Sequence, residues 1–207
     1  MIRLLLTAAL TLIAAGQVPD SRNATLPHVV VETALGTIEI EIDTVRAPET
    51  AANFLKYVDG KFYDGGRFHR TVKADNQPQN DVKIEVVQAG TDPARSKELF
   101  APIALERTNT TRLSHVDGAI SMARSRPDTG RADFFICIGD QPELDFAGKR
   151  NADGQGFAAF GRVVRGMDVV RRIQASPASA QTLTPPVAIL SISRKAAPAA
   201  RMVDGRW

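Results

Sequence analysis

Short apolar segments with the length and composition of β-strands dominate the chain, and polar or glycine-containing loops separate them. Five of these segments are FHR at 68–70, VVQAG at 86–90, GAISMA at 118–123, ADFFIC at 132–137 and FAAFGRVVRG at 157–166. Two more, VVVET at 29–33 and the strictly alternating TIEIEI at 37–42, flank a turn at Leu35 and Gly36. Strict alternation is typical of a half-buried strand, so this pair predicts a β-hairpin.

Only two segments have helical periodicity. The first extends from Ala47 to Tyr57, with Pro48 suited to the first helical turn and a stop at Gly60, and the second begins near residues 166–168. A last strand near the C-terminus is expected to pair with the first hairpin. Many short strands with two helices predict a mainly β fold, a closed barrel with helical caps, because closure removes unpaired strand edges.

The N-terminus has the features of a secretory signal. Arg3 precedes an apolar run that ends in small residues and is short for a membrane span, which predicts a signal peptide over 1–16. A retained N-terminal anchor is the alternative. We expect a linker over 17–27, one domain over 28–194 and a C-terminal tail over 195–207. Export with cleavage predicts a periplasmic or secreted protein with no membrane span in the mature chain.

Composition disfavours several classes of function. The 26 basic and 23 acidic residues are interspersed and leave a net charge of only +3, so no nucleic-acid partner is predicted. The single cysteine, Cys137, lies in an apolar run, and a buried small side chain is favoured over a nucleophile. The three histidines have no paired spacing, so no metal site is predicted.

The five segments, in their order along the chain, resemble the cyclophilin family of peptidyl-prolyl cis-trans isomerases. The resemblance extends from about Val29 to about Arg194. It implies a closed eight-stranded antiparallel β-barrel capped by two helices, and isomerase activity that needs no cofactor. The partners it implies are proline-containing peptides and unfolded exported proteins, and we expect a monomer.

Isomerisation of an X-Pro bond needs no covalent intermediate, because a cation near the prolyl nitrogen favours the single-bond form reached during rotation. Arg70 is the candidate cation. Alternation would place Phe68 and Arg70 on one face and His69 on the other, which favours a packed structural histidine over an acid–base role. The pattern alone slightly favours a surface or ion-paired arginine at Arg70. The resemblance implies that it is catalytic.

The resemblance also implies the positions that bind substrate. Gln88 would hydrogen-bond the substrate backbone and steady the arginine, and Phe135 would form the floor of the proline pocket. The full set of substrate-binding positions is Val86, Gln88, Ala123, Arg124, Asp133, Phe135, Leu144 and Phe157. For the apolar members, an ordinary core position is the alternative.

Several positions depart from the residues usual in the family, and two functions therefore stay open. These positions are Glu85, Arg124, Asp133, Glu143 and Phe157. Residues 71–84 form a longer, polar segment that is expected at the rim of the site. One function is an active isomerase. The other is a peptide-binding chaperone or adaptor with weak or no turnover, in which Asp133 could pair with Arg70 or Arg124 and hold the catalytic guanidinium away from substrate.

Overall fold

The computed structural model describes residues 25–196. The signal peptide predicted over 1–16, most of the predicted linker and most of the predicted tail lie outside this range. Within it the elements are β1 (His28–Thr33), β2 (Gly36–Ile42), α1 (Pro48–Asp59), β3 (Arg67–Val72), β4 (Val86–Gly90), α2 (Thr108–Thr111), β5 (Ala119–Met122), β6 (Phe134–Cys137), β7 (Ala158–Arg165), α3 (Met167–Ala175), β8 (Ala178–Ser179) and β9 (Thr182–Arg194). None of the described helices has the length and hydrophobicity to cross a bilayer.

Eight strands close into an antiparallel barrel. Their order is β1-β2-β7-β5-β6-β4-β3-β9, and pairing between β1 and β9 closes the ring. The two-residue strand β8 pairs only with β9, as a short hairpin. The predicted closed eight-stranded barrel with two helical caps is therefore confirmed, with α1 and α3 as those helices and α2 as one additional turn.

The first hairpin and the closing strand fold as their sequences predict, but the closing strand is longer. Ile38, Ile40 and Ile42 of β2 are all fully buried, in agreement with strict alternation. The last strand, β9, begins at Thr182 and includes two consecutive prolines, so it is longer than the apolar segment that follows those prolines. Its pairing with β3 skips those prolines, so the ladder does not need the N–H groups that proline lacks.

Aromatic rings fill the main core between the barrel and α1. The ring of Phe54 on α1 lies 5.1 Å from that of Phe160, 5.5 Å from that of Phe134 and 5.4 Å from that of Tyr63, measured between centroids. Such tilted and edge-on contacts add to the stability that burial provides. The helix therefore caps the barrel through its apolar stripe. The side chains on the opposite face of β4 and β6 do not belong to this core.

Gly60 ends α1 for a reason that the sequence pattern does not contain. Its φ of −77° is accessible to any residue, so no left-handed conformation is required there. A Cβ atom at this position would lie 2.8 Å from the ring of Phe62, which is too close. Glycine is needed because an aromatic ring packs directly against the end of the helix.

Candidate active site

Alternation along β4 and β6 separates the main core from a second, smaller apolar cluster. Val87 and Ala89 belong to the main core, whereas Val86 lies on the other side of the sheet with Phe135 and Cys137 of β6. Successive side chains of a strand point to opposite faces, so these short strands supply both clusters. The smaller cluster forms the apolar floor of a surface groove.

A β-bulge in β3 brings Arg70 to this groove. Phe68 pairs with Ala89 and Arg70 pairs with the adjacent Gln88, so β3 has one extra residue at His69. Phe68 is consequently buried in the main core, while Arg70 emerges beside the groove. The prediction that Phe68 and Arg70 share a face is wrong, because a bulge changes the alternation of the strand that carries it.

Two glutamine side chains hold the guanidinium of Arg70. The Oε1 atom of Gln181 accepts hydrogen bonds from Nε at 2.9 Å and from Nη2 at 2.6 Å, and Oε1 of Gln88 accepts one from Nη1 at 3.1 Å. Burial lowers the pKa of Arg70 below its ordinary value. The guanidinium nevertheless stays charged at neutral pH, because the ordinary pKa of arginine is far above 7. The guanidinium is thus oriented by neutral acceptors that leave its charge uncompensated.

The groove beside Arg70 has a volume of about 250 Å³ and collects most of the predicted site. Seven of the eight predicted substrate-binding residues line it together with Arg70: Val86, Gln88, Ala123, Arg124, Phe135, Leu144 and Phe157. Phe157 packs edge-on against Phe135, with 5.2 Å between the ring centroids. A groove of this kind combines an apolar floor suited to a proline ring with a cation and an amide at its edge.

Asp133 is the one predicted substrate-binding residue that does not line this groove. It lines a neighbouring groove of about 360 Å³ that also includes Gln88, Ala123 and Arg124. Its Oδ2 atom accepts a hydrogen bond from Nε2 of Gln88 at 3.3 Å and lies 3.8 Å from Nε2 of His69. Desolvation raises the pKa of the Asp133 carboxyl, and the charge of His69 and the Gln88 hydrogen bond oppose this shift.

These contacts correct two expectations from the sequence. Asp133 pairs with neither Arg70 nor Arg124, so it does not hold either guanidinium away from the groove. His69, expected as a packed structural histidine, is only partly packed, because about a third of its side chain is exposed and its ring approaches Asp133. The bulge explains the second correction, since the extra residue of a bulged strand is left without a regular position on either face.

Arg124 fastens the loop that precedes β7. Its Nε atom donates to the carbonyl oxygen of Gly156 at 2.8 Å, and its Nη1 atom donates to the carboxylate of Asp153, also at 2.8 Å. The Arg124 side chain is only 3% exposed, and its guanidinium lies 5.0 Å from the ring centroid of Phe157. The hydrogen bond from Arg124 lowers the pKa of Asp153 to about 2. Arg124 therefore lines the groove as a neutralised structural cation.

A buried polar triad supports the groove from below. His115 contacts the Oδ1 atom of Asp145 through Nδ1 at 2.7 Å and the Oγ atom of Ser121 through Nε2 at 2.9 Å, and its ring stacks on Phe135. The residue types match those of a nucleophilic triad. However, Ser121 is 0% exposed and His115 is 1% exposed, so no substrate reaches the hydroxyl. The triad instead fixes the floor of the groove.

The insertion over 71–84 borders the groove, as expected for a rim loop. Its internal structure comes from the buried Gln77, whose Nε2 atom donates to the carbonyl oxygens of Lys73 at 2.7 Å and Ile84 at 2.8 Å. These bonds fold the insertion back on itself and place Ile84 at the groove. Asn76 extends the connection by donating to the carbonyl oxygen of Ala180, next to the residue that holds Arg70.

Four residues of the site were not predicted from the sequence: Ile84, Arg150, Asn151 and Gln181. Arg150 and Asn151 lie in the polar loop before β7, and nothing in that loop's sequence distinguishes them as groove residues.

Two of the acidic residues that depart from the family pattern do not line the groove. Glu85 accepts a hydrogen bond from Gln174 at 2.8 Å, and Glu143 accepts one from the main chain of Lys149 at 2.7 Å. Over residues 25–196 there is no cluster of three or more potential metal ligands.

Comparisons with known proteins agree with this architecture. Residues 28–194 match the family model described as cyclophilin type peptidyl-prolyl cis-trans isomerase/CLD. The chain is similar to peptidyl-prolyl cis-trans isomerase A of Dickeya dadantii, with 35% identity over 156 residues that cover 75% of each chain. It is also similar to a peptidyl-prolyl cis-trans isomerase of Acinetobacter baylyi, with 36% identity over 173 residues, which are 80% of this chain and 84% of that one.

Solved structures share the fold. A cyclophilin-type isomerase from Cryptosporidium parvum superposes with a TM-score of 0.66 at 19% identity, covering 84% of this chain and 99% of the other. The same protein crystallised in the presence of the dipeptide Ala-Pro gives a TM-score of 0.66, also at 19% identity, and covers 82% and 99% of the two chains. With the family match over residues 28–194, these results identify the chain as a member of the cyclophilin-type peptidyl-prolyl cis-trans isomerase family.

Proposed function

We propose that the chain catalyses cis–trans isomerisation of X-Pro bonds by non-covalent electrostatic stabilisation, with Arg70 as the catalytic residue. The observation that carries the proposal is the oriented guanidinium of Arg70, held at the edge of an apolar groove by two neutral amide oxygens. Resonance in the amide gives a rotation barrier of about 18–20 kcal/mol. A fixed positive charge near the prolyl nitrogen favours the form in which the nitrogen lone pair has left that resonance.

The groove supplies the other requirements of this reaction. Phe135 and Leu144 offer an apolar surface for the proline ring, since both belong to the smaller cluster rather than the main core. The amide nitrogen of Gln88 can donate to the substrate backbone, while its Oε1 atom accepts the hydrogen bond from Arg70. The Cryptosporidium relative was crystallised in the presence of the dipeptide Ala-Pro, which contains a proline. We therefore propose proline-containing peptides as substrates.

Substitution of Arg70 tests the catalytic role. Removal of a preorganised electrostatic contact usually lowers the rate by about 100- to 1000-fold, so we expect a loss of this size in kcat/KM for Arg70→Ala. Arg70→Lys should recover little of it, because an ammonium group cannot form the same planar set of hydrogen bonds. Arg67→Ala is the matched control, since Arg67 lies on the same strand and is exposed.

The assay is two-dimensional NMR exchange on a short peptide with one X-Pro bond. Unfolding in urea establishes that each variant remains folded. Full activity of Arg70→Ala would show that the arginine is not catalytic. If the unmodified protein accelerates no peptide but binds several, the alternative function is correct, namely a peptide-binding chaperone or adaptor with the cyclophilin fold.

We further propose that the protein is exported and assists the folding of exported proteins as a monomer. A positively charged start, an apolar run and small residues near Gly16 support export with cleavage. Cell fractionation and N-terminal sequencing test this, and a mature chain that begins near Gly16 or Gln17 in the periplasm or medium is expected. A chain that keeps Met1, whether cytoplasmic or anchored, would contradict cleavage. The molar mass from sedimentation tests the proposed monomeric state.

A further inference from the structure

Besides Arg70 and the ion-paired Arg124, the groove is lined by a third arginine, Arg150, for which the isomerisation mechanism has no use. Arg150 lies in the loop before β7, where its main-chain N–H donates to the carbonyl oxygen of Glu143 at 3.1 Å. Its side chain crosses to the insertion, and Nη1 donates to the carbonyl oxygen of Val82 at 2.7 Å. The guanidinium therefore lies at the junction of two polar loops and lines the same groove as Arg70.

The charges of Arg70 and Arg150 are not compensated by the protein, unlike that of Arg124. Asp153 neutralises Arg124 through two contacts of 2.8 and 2.9 Å. By contrast, the hydrogen-bond acceptors of Arg70 are side-chain amides and that of Arg150 is a main-chain carbonyl. Between residues 25 and 196, neither of these two arginines forms an ion pair with a carboxylate.

The two guanidiniums also interact with each other. Burial lowers the pKa of Arg150, and the positive charge of Arg70 lowers it further. Like charges that share a partly desolvated groove repel, and an anion placed between them would relieve this repulsion. Arg150 uses Nη1 for the loop contact, and no other described residue occupies its remaining donors. A carboxylate matches the planar fork of such donors.

Three acidic residues near the groove, Glu85, Asp133 and Glu143, have contacts outside it. Glu143 accepts a hydrogen bond from the main chain of Lys149, and Glu85 accepts one from Gln174. Asp133 lines the neighbouring groove and contacts Gln88 and His69. Among residues 25–196, no carboxylate lines the groove itself. An anion bound in the groove would therefore contact Arg70 and Arg150 with no carboxylate among the described lining residues.

From this charge arrangement we infer that Arg150 determines substrate specificity, by favouring peptides that carry a carboxylate one or two residues from the proline. The carboxylate belongs either to an acidic side chain or to the free C-terminus of the peptide. This inference rests on the proposed function, because it concerns the same groove and the same substrates. It assigns Arg150 to binding and leaves Arg70 as the catalytic cation.

A charge-matched peptide series tests the inference. Each peptide has one Ala-Pro bond and blocked ends, with Glu, Gln or Lys placed after the proline or two residues before it, and one further peptide has a free carboxylate beside the proline. We expect kcat/KM for the best Glu peptide to exceed that of its Gln counterpart about fivefold at low salt, as for one partly exposed ion pair. The Lys peptide should be slowest, and the preference should fade at about 1 M salt.

Variants separate the charge of Arg150 from its loop contact. Arg150→Gln should reduce the Glu-to-Gln ratio to near one, whereas Arg150→Lys should keep most of it because the charge remains. Lys149→Gln is the matched control, since it removes a neighbouring positive charge that is exposed and does not line the groove. The control should keep the ratio of the unmodified protein.

The possible outcomes distinguish the inference from the proposed function. A ratio near one in the unmodified protein, or a ratio that Arg150→Gln leaves unchanged, overturns the inference while isomerase activity stands. A preference confined to the free-carboxylate peptide supports it and assigns the anion to the chain end. If no peptide is isomerised, the proposed function fails. The same peptides are then compared by NMR titration, and equal Kd values for Glu and Gln peptides would overturn the inference as well.

Discussion

Gln181 is expected to control catalysis although it reaches the substrate only through Arg70. It supplies two of the three hydrogen bonds that orient the guanidinium, at 2.9 and 2.6 Å, and Gln88 supplies the third at 3.1 Å. Its own amide donates to the carbonyl oxygen of Asn76 at 3.1 Å, which ties it to the insertion. Gln181→Ala would leave Arg70 with one acceptor and freedom to rotate.

The size of the effect follows from these contacts. A hydrogen bond from a charged donor contributes about 1.5–3 kcal/mol, and the lower value applies because Arg70 is only partly buried. Loss of one or both of these hydrogen bonds, at about 1.5 kcal/mol each, lowers transition-state stabilisation by about 1.5–3 kcal/mol, which corresponds to a decrease in kcat/KM of roughly 10- to 150-fold. The decrease should lie in kcat more than in KM, because the proline ring still finds its apolar floor.

A second substitution at the same position separates orientation from charge. In Gln181→Glu, a carboxylate would keep the two contacts with Arg70 and strengthen them. It would also neutralise the field at the prolyl nitrogen, so we expect activity below that of the unmodified protein despite better anchoring. Ser179→Ala is the control, since this exposed residue lies in the same short hairpin.

NMR exchange measures kcat/KM for all three variants, and urea unfolding measures their stability. The argument fails if Gln181→Ala retains full kcat/KM. It also fails if Gln181→Glu is as fast as the unmodified protein, because the charge of Arg70 would then not matter to the reaction. An increase in KM with kcat unchanged would instead assign Gln181 a role in substrate binding.

Three other predictions concern stability and reactivity. His115→Leu should lower the free energy of unfolding by about 2–3 kcal/mol in urea titrations, because the buried hydroxyl that contacts this ring loses its partner. The Asp153 pKa of about 2 lies below its ordinary value of 3.8, so the stabilisation it provides is complete above pH 4 and is lost as the pH falls towards 2. The protection of the loop amides, corrected for the intrinsic pH dependence of hydrogen exchange, should decrease as this stabilisation is lost. In Asp153→Asn, the protection should not change over the same pH range. Burial raises the pKa of Cys137, so an aromatic disulfide reagent should react with it only as fast as the protein unfolds.

The fold could be predicted from the sequence because its determinants are local. Alternation fixed the buried face of β2, and Pro48 with an apolar stripe marked the first helix. The order of the short segments identified the family and, through it, the groove residues Gln88 and Phe135. Each of these signals lies within a few neighbouring residues, where backbone geometry and side-chain period are directly coupled.

Only the tertiary structure decided how Arg70 is presented to the groove. The bulge that turns Arg70 towards the groove depends on pairing between β3 and β4, and alternation within β3 predicted the opposite arrangement. Gln181 lies 111 residues from Arg70 in the chain, and no local pattern links the two. The charge of the groove likewise depends on which arginine has a carboxylate partner: within the described part of the chain, Arg124 has one and Arg150 does not. Register and partner choice arise from contacts between distant segments, so they become defined only when the barrel closes.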